Sequence, residues 1–156
     1  MAQSAIAIIW SMSPNLPPMP AKDRYHNTVK TALIKDGWTI THDPLTLRIS
    51  TKKLYIDLGA ERLIAAERDT QKIAVEVKSF TRASDMKDLQ EALGQFVLYA
   101  TLLNRYDPER IVYLAIPEVV RQAVFEEEVG QTLLEEKLVR LISFDPDREV
   151  LMQWIP

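Results

Sequence analysis

Cysteine is absent from all 156 residues, which excludes a disulfide scaffold, a thiolate zinc site, an iron–sulfur centre and a cysteine nucleophile. The absence fits a reducing cytoplasm. Glycine is scarce, at four residues, and neither GxGxxG nor GxxxxGK[ST] occurs, so the chain has no dinucleotide fingerprint and no P-loop. Two histidines, His26 and His42, are too few for a histidine-rich metal cage. No run approaches the roughly 18–20 continuous apolar residues of a membrane-spanning helix. What is present is 47% hydrophobic and 26% charged residues, enough for one globular domain with its own core.

The net charge of −3 hides a gradient. Residues 1–90 hold 13 Lys/Arg against 10 Asp/Glu, a net of +3, and residues 91–156 hold 6 against 12, a net of −6. Such a split fits a phosphate-facing surface and a separate protein-facing one, and equally an ordinary solvated surface. Residues 1–18, MAQSAIAIIWSMSPNLPP, look foreign to the rest. They lack the basic start and the apolar length of a secretory signal. Met19 offers an alternative start, so residues 1–18 are expected to be an appendage and residues 19–156 a single domain.

Helical spacing of Tyr25, Val29, Ala32 and Leu33 predicts a helix over 21–35, ended at Gly37. Trp38 to His42 reads as a strand ended by Asp43-Pro44, and Leu47 to Glu67 as extended chain with a bulge at Gly59. A turn at 68–71 leads into the clearest strand, Lys72 to Phe80. A long helix follows, capped by Ser84 or Asp85, with Met86, Leu89, Leu93, Phe96, Val97, Ala100 and Leu103 along one stripe and Asp107-Pro108 ending it. Ile111–Ile116 is a buried-type strand. Helical segments at 119–125 and 129–136 precede a hairpin, 138–144 with 149–154. This order predicts an α/β fold around a mixed sheet.

The chemistry-bearing segment is Tyr55-Ile56-Asp57-Leu58, followed by Glu76-Val77-Lys78. Side chains alternate along a strand, so Glu76 and Lys78 share a face while Val75 and Val77 take the other. Ionisable groups flanked by aliphatics are costly to bury unless they pair or bind a cation. Two converging carboxylates form a hard-oxygen site suited to Mg²⁺, and an adjacent lysine can stabilise charge on a phosphate. The same spacing is also that of a salt-bridge cluster, and from spacing alone that reading is the commoner, because ExK is a frequent tripeptide. Gln95 and Tyr99, four apart, share one face of the following helix. Gln95 there could orient a metal-bound water, and Tyr99 could meet a phosphate or base, or belong to the core. A plain hairpin about Asp69-Thr70 sets Glu67 opposite Lys72 and Leu63 opposite Glu76. Asp57 then lies on the order of 20 Å further along unless the chain bends near Gly59, and Glu61 is the substitute acid. His26 reads first as a structural histidine, with a place near the metal as the alternative.

Asp57, Glu76-Val77-Lys78, Gln95 and Tyr99 together resemble the PD-(D/E)xK nuclease superfamily with its QxxxY helix. More closely, AKDRYHNTVKTALIKDGWTITHDPL, YIDLGAERLIAAER and IAVEVKSF resemble the XisH family of cyanobacterial excision controlling factors, over Met19 to Pro156. The resemblance implies a restriction-endonuclease-like fold. It also implies a role in excising a DNA element during heterocyst differentiation, with XisI and a site-specific recombinase as partners. By motif, Asp57 and Glu76 would be metal ligands for Mg²⁺ or Mn²⁺, with the Val77 carbonyl a third. Lys78 would be the catalytic lysine, with Gln95 and Tyr99 as accessories. Ile56 stands where a proline often precedes the aspartate. The competing expectation is a regulatory module that never cuts DNA and uses the acidic runs Glu126–Glu128 and Glu135-Glu136 to bind XisI or the recombinase.

Overall fold

The computed structural model describes residues 22–46, 48–50, 55–57, 63–81 and 84–156, with the backbone alone for 48–50 and 55–57. The segment 1–18, Gly59 and Glu61 lie outside the described residues, as does the side chain of Asp57. The strands are β1 (Thr39–His42), β2 (Arg48–Ser50), β3 (Tyr55–Asp57), β4 (Ile64–Arg68), β5 (Gln71–Val77), β6 (Arg110–Pro117), β7 (Leu141–Asp145) and β8 (Val150–Ile155). The helices are α1 (His26–Lys35), α2 (Asp85–Tyr106), α3 (Glu118–Val120), which runs into a π-helical turn at Arg121–Phe125, and α4 (Glu128–Glu135).

Six strands form one sheet in the order β1-β4-β5-β6-β7-β8. β5, β6 and β7 are parallel, and the outer pairings are antiparallel. The mixed sheet between helices is the α/β architecture expected from the sequence. The β4–β5 hairpin has the expected register, with Glu67 opposite Lys72 and Arg68 opposite Gln71. Asp69 takes a φ of 53° in its turn, a conformation short polar side chains tolerate. Among the described residues no helix is long and apolar enough to cross a membrane.

Alternation along β5 splits the core. Ala74 joins Leu89, Ala92, Phe96 and Leu114 under α2, while Ile73, Val75 and Val77 join Val29, Leu33 and Phe144 under α1. The residues with even numbers on β5 therefore face α2. Ser84 caps α2 as expected, its hydroxyl accepting the Lys87 amide at 3.2 Å.

Several expectations are corrected. The helix α1 starts at His26, because Arg24 and Tyr25 form a turn in which the Asp23 carboxylate accepts the Tyr25 amide. β5 ends at Val77 rather than Phe80, and Phe80 has a φ of 56°, incompatible with a strand. The buried stripe of α2 runs through Leu89, Ala92, Phe96, Tyr99 and Leu103, leaving Met86 and Val97 outside. Leu47–Glu67 is not one extended segment. β2 and β3 pair with each other as a separate two-stranded ribbon, in which Asp57 lies opposite Arg48.

Candidate functional site

The site lies where the parallel strands β5 and β6 end. In open α/β sheets this carboxyl edge is the usual place for ligands, because the chain turns away there and leaves a crevice. Glu76 is the last α2-facing residue of β5, opposite Leu114 of β6, and is 1% exposed. Lys78, just past the strand, donates its backbone amide to the Ala115 carbonyl at 3.0 Å, which continues the ladder by one bond. The alternation thus carries one step further and sends Lys78 toward α2 as well. Its ammonium donates to Glu91 Oε1 at 3.1 Å, and its side chain is 16% exposed.

Glu91 escaped the sequence reading. Its signal was present, since Glu91, Gln95 and Tyr99 recur at intervals of four and fall along one flank of α2. Gln95 Oε1 is buried without a hydrogen-bond partner among the described residues. Buried acceptors of this kind are uncommon in native proteins and mark places where a water or ion belongs. Tyr99 is buried in the core beneath α2, as the core reading of its position anticipated. Beside Lys78 opens a cleft of about 150 Å³ lined by Asp23, Ser79, Thr81, Asp88 and Glu91. Asp23 braces its wall: one carboxylate oxygen accepts the Ser79 amide and the other the Tyr25 amide, each at 2.9 Å. That bracing ties the loop after β5 to the start of α1.

His26 is buried, with Nε2 2.7 Å from Asp43 Oδ1, and Lys30 reaches Asp43 Oδ2 at the same distance. Burial tends to raise the Asp43 pKa, but the hydrogen bonds from Lys30 and His26 prevail and hold it below the ordinary carboxylate value. This cluster fixes the chain at Asp43-Pro44, after which the Leu45 amide donates to the Leu63 carbonyl at 2.6 Å. These are the bonds of a structural histidine. Glu118 follows β6 at the same carboxyl edge, and Arg121 grips it with two hydrogen bonds of 2.8 and 2.6 Å. That guanidinium, against the opposing effect of burial and with help from the Gln122 amide, lowers the Glu118 pKa from 4.5 to about 2. Glu118 is therefore committed to holding the π-helical turn.

Among the described residues no three His, Asp or Glu side chains converge as a metal-binding group. The structure thus brings Glu76, Lys78 and the Gln95 flank of α2 to one edge. Asp57 is described only as backbone, on the β2–β3 ribbon.

The family model for the XisH protein matches residues 19–152. The chain belongs to the XisH family. Its fold is that of a XisH family protein from Nostoc punctiforme, with a TM-score of 0.76 and 44% identity, covering 86% of this chain and 100% of that one. It is equally similar to an fdxN element excision controlling factor from Anabaena variabilis, with a TM-score of 0.75 and 43% identity over 85% of this chain and 98% of the other. No curated protein matches.

Proposed function

We propose that this XisH-family chain is a controlling factor for excision of a DNA element and that its carboxyl-edge site hydrolyses DNA phosphodiesters with Mg²⁺ or Mn²⁺. The observation that carries the catalytic part is Glu76, a carboxylate at 1% exposure on the same face as Lys78 at the end of a parallel strand pair. A carboxylate there offers hard oxygen donors beside the ammonium of Lys78, the pairing that a divalent cation and a phosphate together require. The genetic part rests on family membership and on the likeness to a protein described as an fdxN element excision controlling factor.

The residues that would hold the ion are Asp57, Glu76 and the Val77 carbonyl, a hard-oxygen set that suits Mg²⁺. The buried Gln95 Oε1 fits that environment, since it is an acceptor placed to take a hydrogen bond from a water. When bound, the ion would supply Lewis-acid stabilisation of the phosphate and a lowered pKa for water. Lys78 would place its ammonium beside a non-bridging phosphate oxygen, where negative charge grows as the phosphodiester is attacked. Glu91 holds that ammonium at the mouth of the cleft. Asp23 keeps the Lys78-Ser79 loop from moving away by its bond to the Ser79 amide.

Three cations neighbour cleft-lining residues in the sequence. Lys22 and Arg24 flank Asp23, and Lys87 precedes Asp88 on the first turn of α2. Their side chains make no ion pair among the described residues, whereas Asp23 and Glu91 inside the cleft are already hydrogen-bonded. The direct test is cleavage of supercoiled and linear DNA with Mn²⁺ by the wild type, Glu76→Ala and Lys78→Ala. Cleavage lost in both folded variants supports the reading; cleavage retained in both removes these residues from it.

The second reading is a regulatory module that binds XisI or a recombinase through Glu126–Glu128 and Glu135-Glu136, all of which are exposed. Binding of XisI before and after reversing those charges tests it. Unchanged binding excludes that face.

A further inference from the structure

Val97, which helical spacing assigns to the buried stripe of α2, is 46% exposed. It lines a groove of about 470 Å³ between α2, the start of β6 and the chain entering β7. Ile111, at 37% exposure, and Leu138, at 45%, line the same groove. Large apolar side chains left exposed together mark an interaction surface more often than a stray surface position does.

Lys137 and Arg140 border this groove and the smaller cavity beside it that reaches Pro156. Neither side chain has an acidic partner among the described residues, and no carboxylate side chain lines either cavity. The third cation of the groove, Arg110, is committed to Asp107 Oδ2 at 2.9 Å and to the Ile73 carbonyl at 3.0 Å. Two such cations over apolar side chains stand out in a half of the chain whose net charge is −6. Lys137 also has a φ of 56° just after α4, where glycine is the unstrained choice.

We infer that this groove docks a segment of another protein that presents apolar side chains flanked by carboxylates. The apolar residues would seat the anchor, and Lys137 and Arg140 would pair with the flanking acids. A nucleic acid is a poorer fit, because its affinity grows with the number of phosphates neutralised and the groove offers only this pair of cations for the purpose among the described residues. The groove meets β6 at its start, Arg110–Val112, and shares no lining residue with the cleft beside Lys78, so its occupancy can be read separately from the proposed hydrolytic site.

The test is NMR of the full ¹⁵N-labelled chain titrated with a synthetic amphipathic helix of about 14 residues, leucine on one face and glutamate on the other. Amide shifts are expected around Val97, Ile111, Lys137, Leu138 and Arg140. Affinity should fall about tenfold or more in K137E/R140E, and a separate Leu138→Asp variant should weaken binding through the apolar half. Both variants replace surface side chains, so their spectra should remain dispersed. Equal binding by wild type and K137E/R140E, or shifts confined to other surfaces, would overturn the inference. So would perturbation of the same amides by a short DNA duplex in place of the peptide, or by raising the protein concentration alone, which would assign the groove to nucleic acid or to a second copy.

Discussion

Glu76 and Glu118 are carboxylates at the same edge of the sheet, and their surroundings differ. Glu118 accepts hydrogen bonds from Arg121 and Gln122, and its pKa falls from 4.5 to about 2. A carboxylate whose pKa is depressed by folding stabilises the native state above its unfolded pKa, and this contribution disappears as pH falls through its folded value. Glu118→Gln should therefore lower stability by on the order of 2 kcal/mol at pH 7. The deficit should shrink between pH 4.5 and pH 2. Denaturation of both proteins across that range measures it; a pH-independent difference would mean that packing rather than charge holds the turn. Glu76 instead has Leu114 of β6 opposite it on the α2 side of the sheet, while Val75 and Val77 face α1. Its side was legible because strand alternation is strict, and Lys78 followed from the same rule. Glu91 carries no hydropathic mark, because hydropathy shows only the apolar stripe of a helix; the interval of four that it shares with Gln95 and Tyr99 is its one sign in the sequence.

Among the elements, the close approach of the π-helical turn to α4 depends on one glycine. A Cβ on Gly130 would collide with the Val124 carbonyl and the Phe125 backbone. Gly130→Ala should destabilise the fold by about 1–3 kcal/mol, since backbone cannot yield as a side-chain tip does. Gly94, in the middle of α2, meets nothing within 4 Å, so Gly94→Ala should stabilise by about 0.5–1 kcal/mol through helix propensity. Urea denaturation of the two variants reads both signs. The extent of α2 and the β7–β8 hairpin were legible from capping residues and turn chemistry. The β2–β3 ribbon was not. Its strands are three residues each and pair with each other, too short for a hydrophobic period to show in the sequence. The exposure of Val97 was equally hidden, because an apolar stripe cannot say how far the covering sheet extends.

At the scale of the molecule, the charge gradient takes on a location. Of the front half's cations Lys78 lines the cleft, with Lys22, Arg24 and Lys87 adjacent in sequence to its lining residues Asp23 and Asp88, and the acidic back half holds a basic, apolar groove at the start of β6. If the cleft receives DNA, replacing Lys22, Arg24 and Lys87 by alanine should weaken binding of a duplex. It should also flatten the dependence of log affinity on log salt by about 0.9 for each phosphate that the variant no longer neutralises. An unchanged slope would place the DNA elsewhere.

The proposed hydrolytic role requires that Glu76 belong to a divalent-cation site rather than to a structural salt bridge. Calorimetric titration of Mn²⁺ into the wild type and Glu76→Ala, in the presence and absence of a short DNA duplex, tests it most directly. Circular dichroism verifies that both proteins are folded. A binding event is expected in the wild type and should be lost in a folded Glu76→Ala. Equal binding by both proteins, or none by the wild type even with DNA, would contradict it.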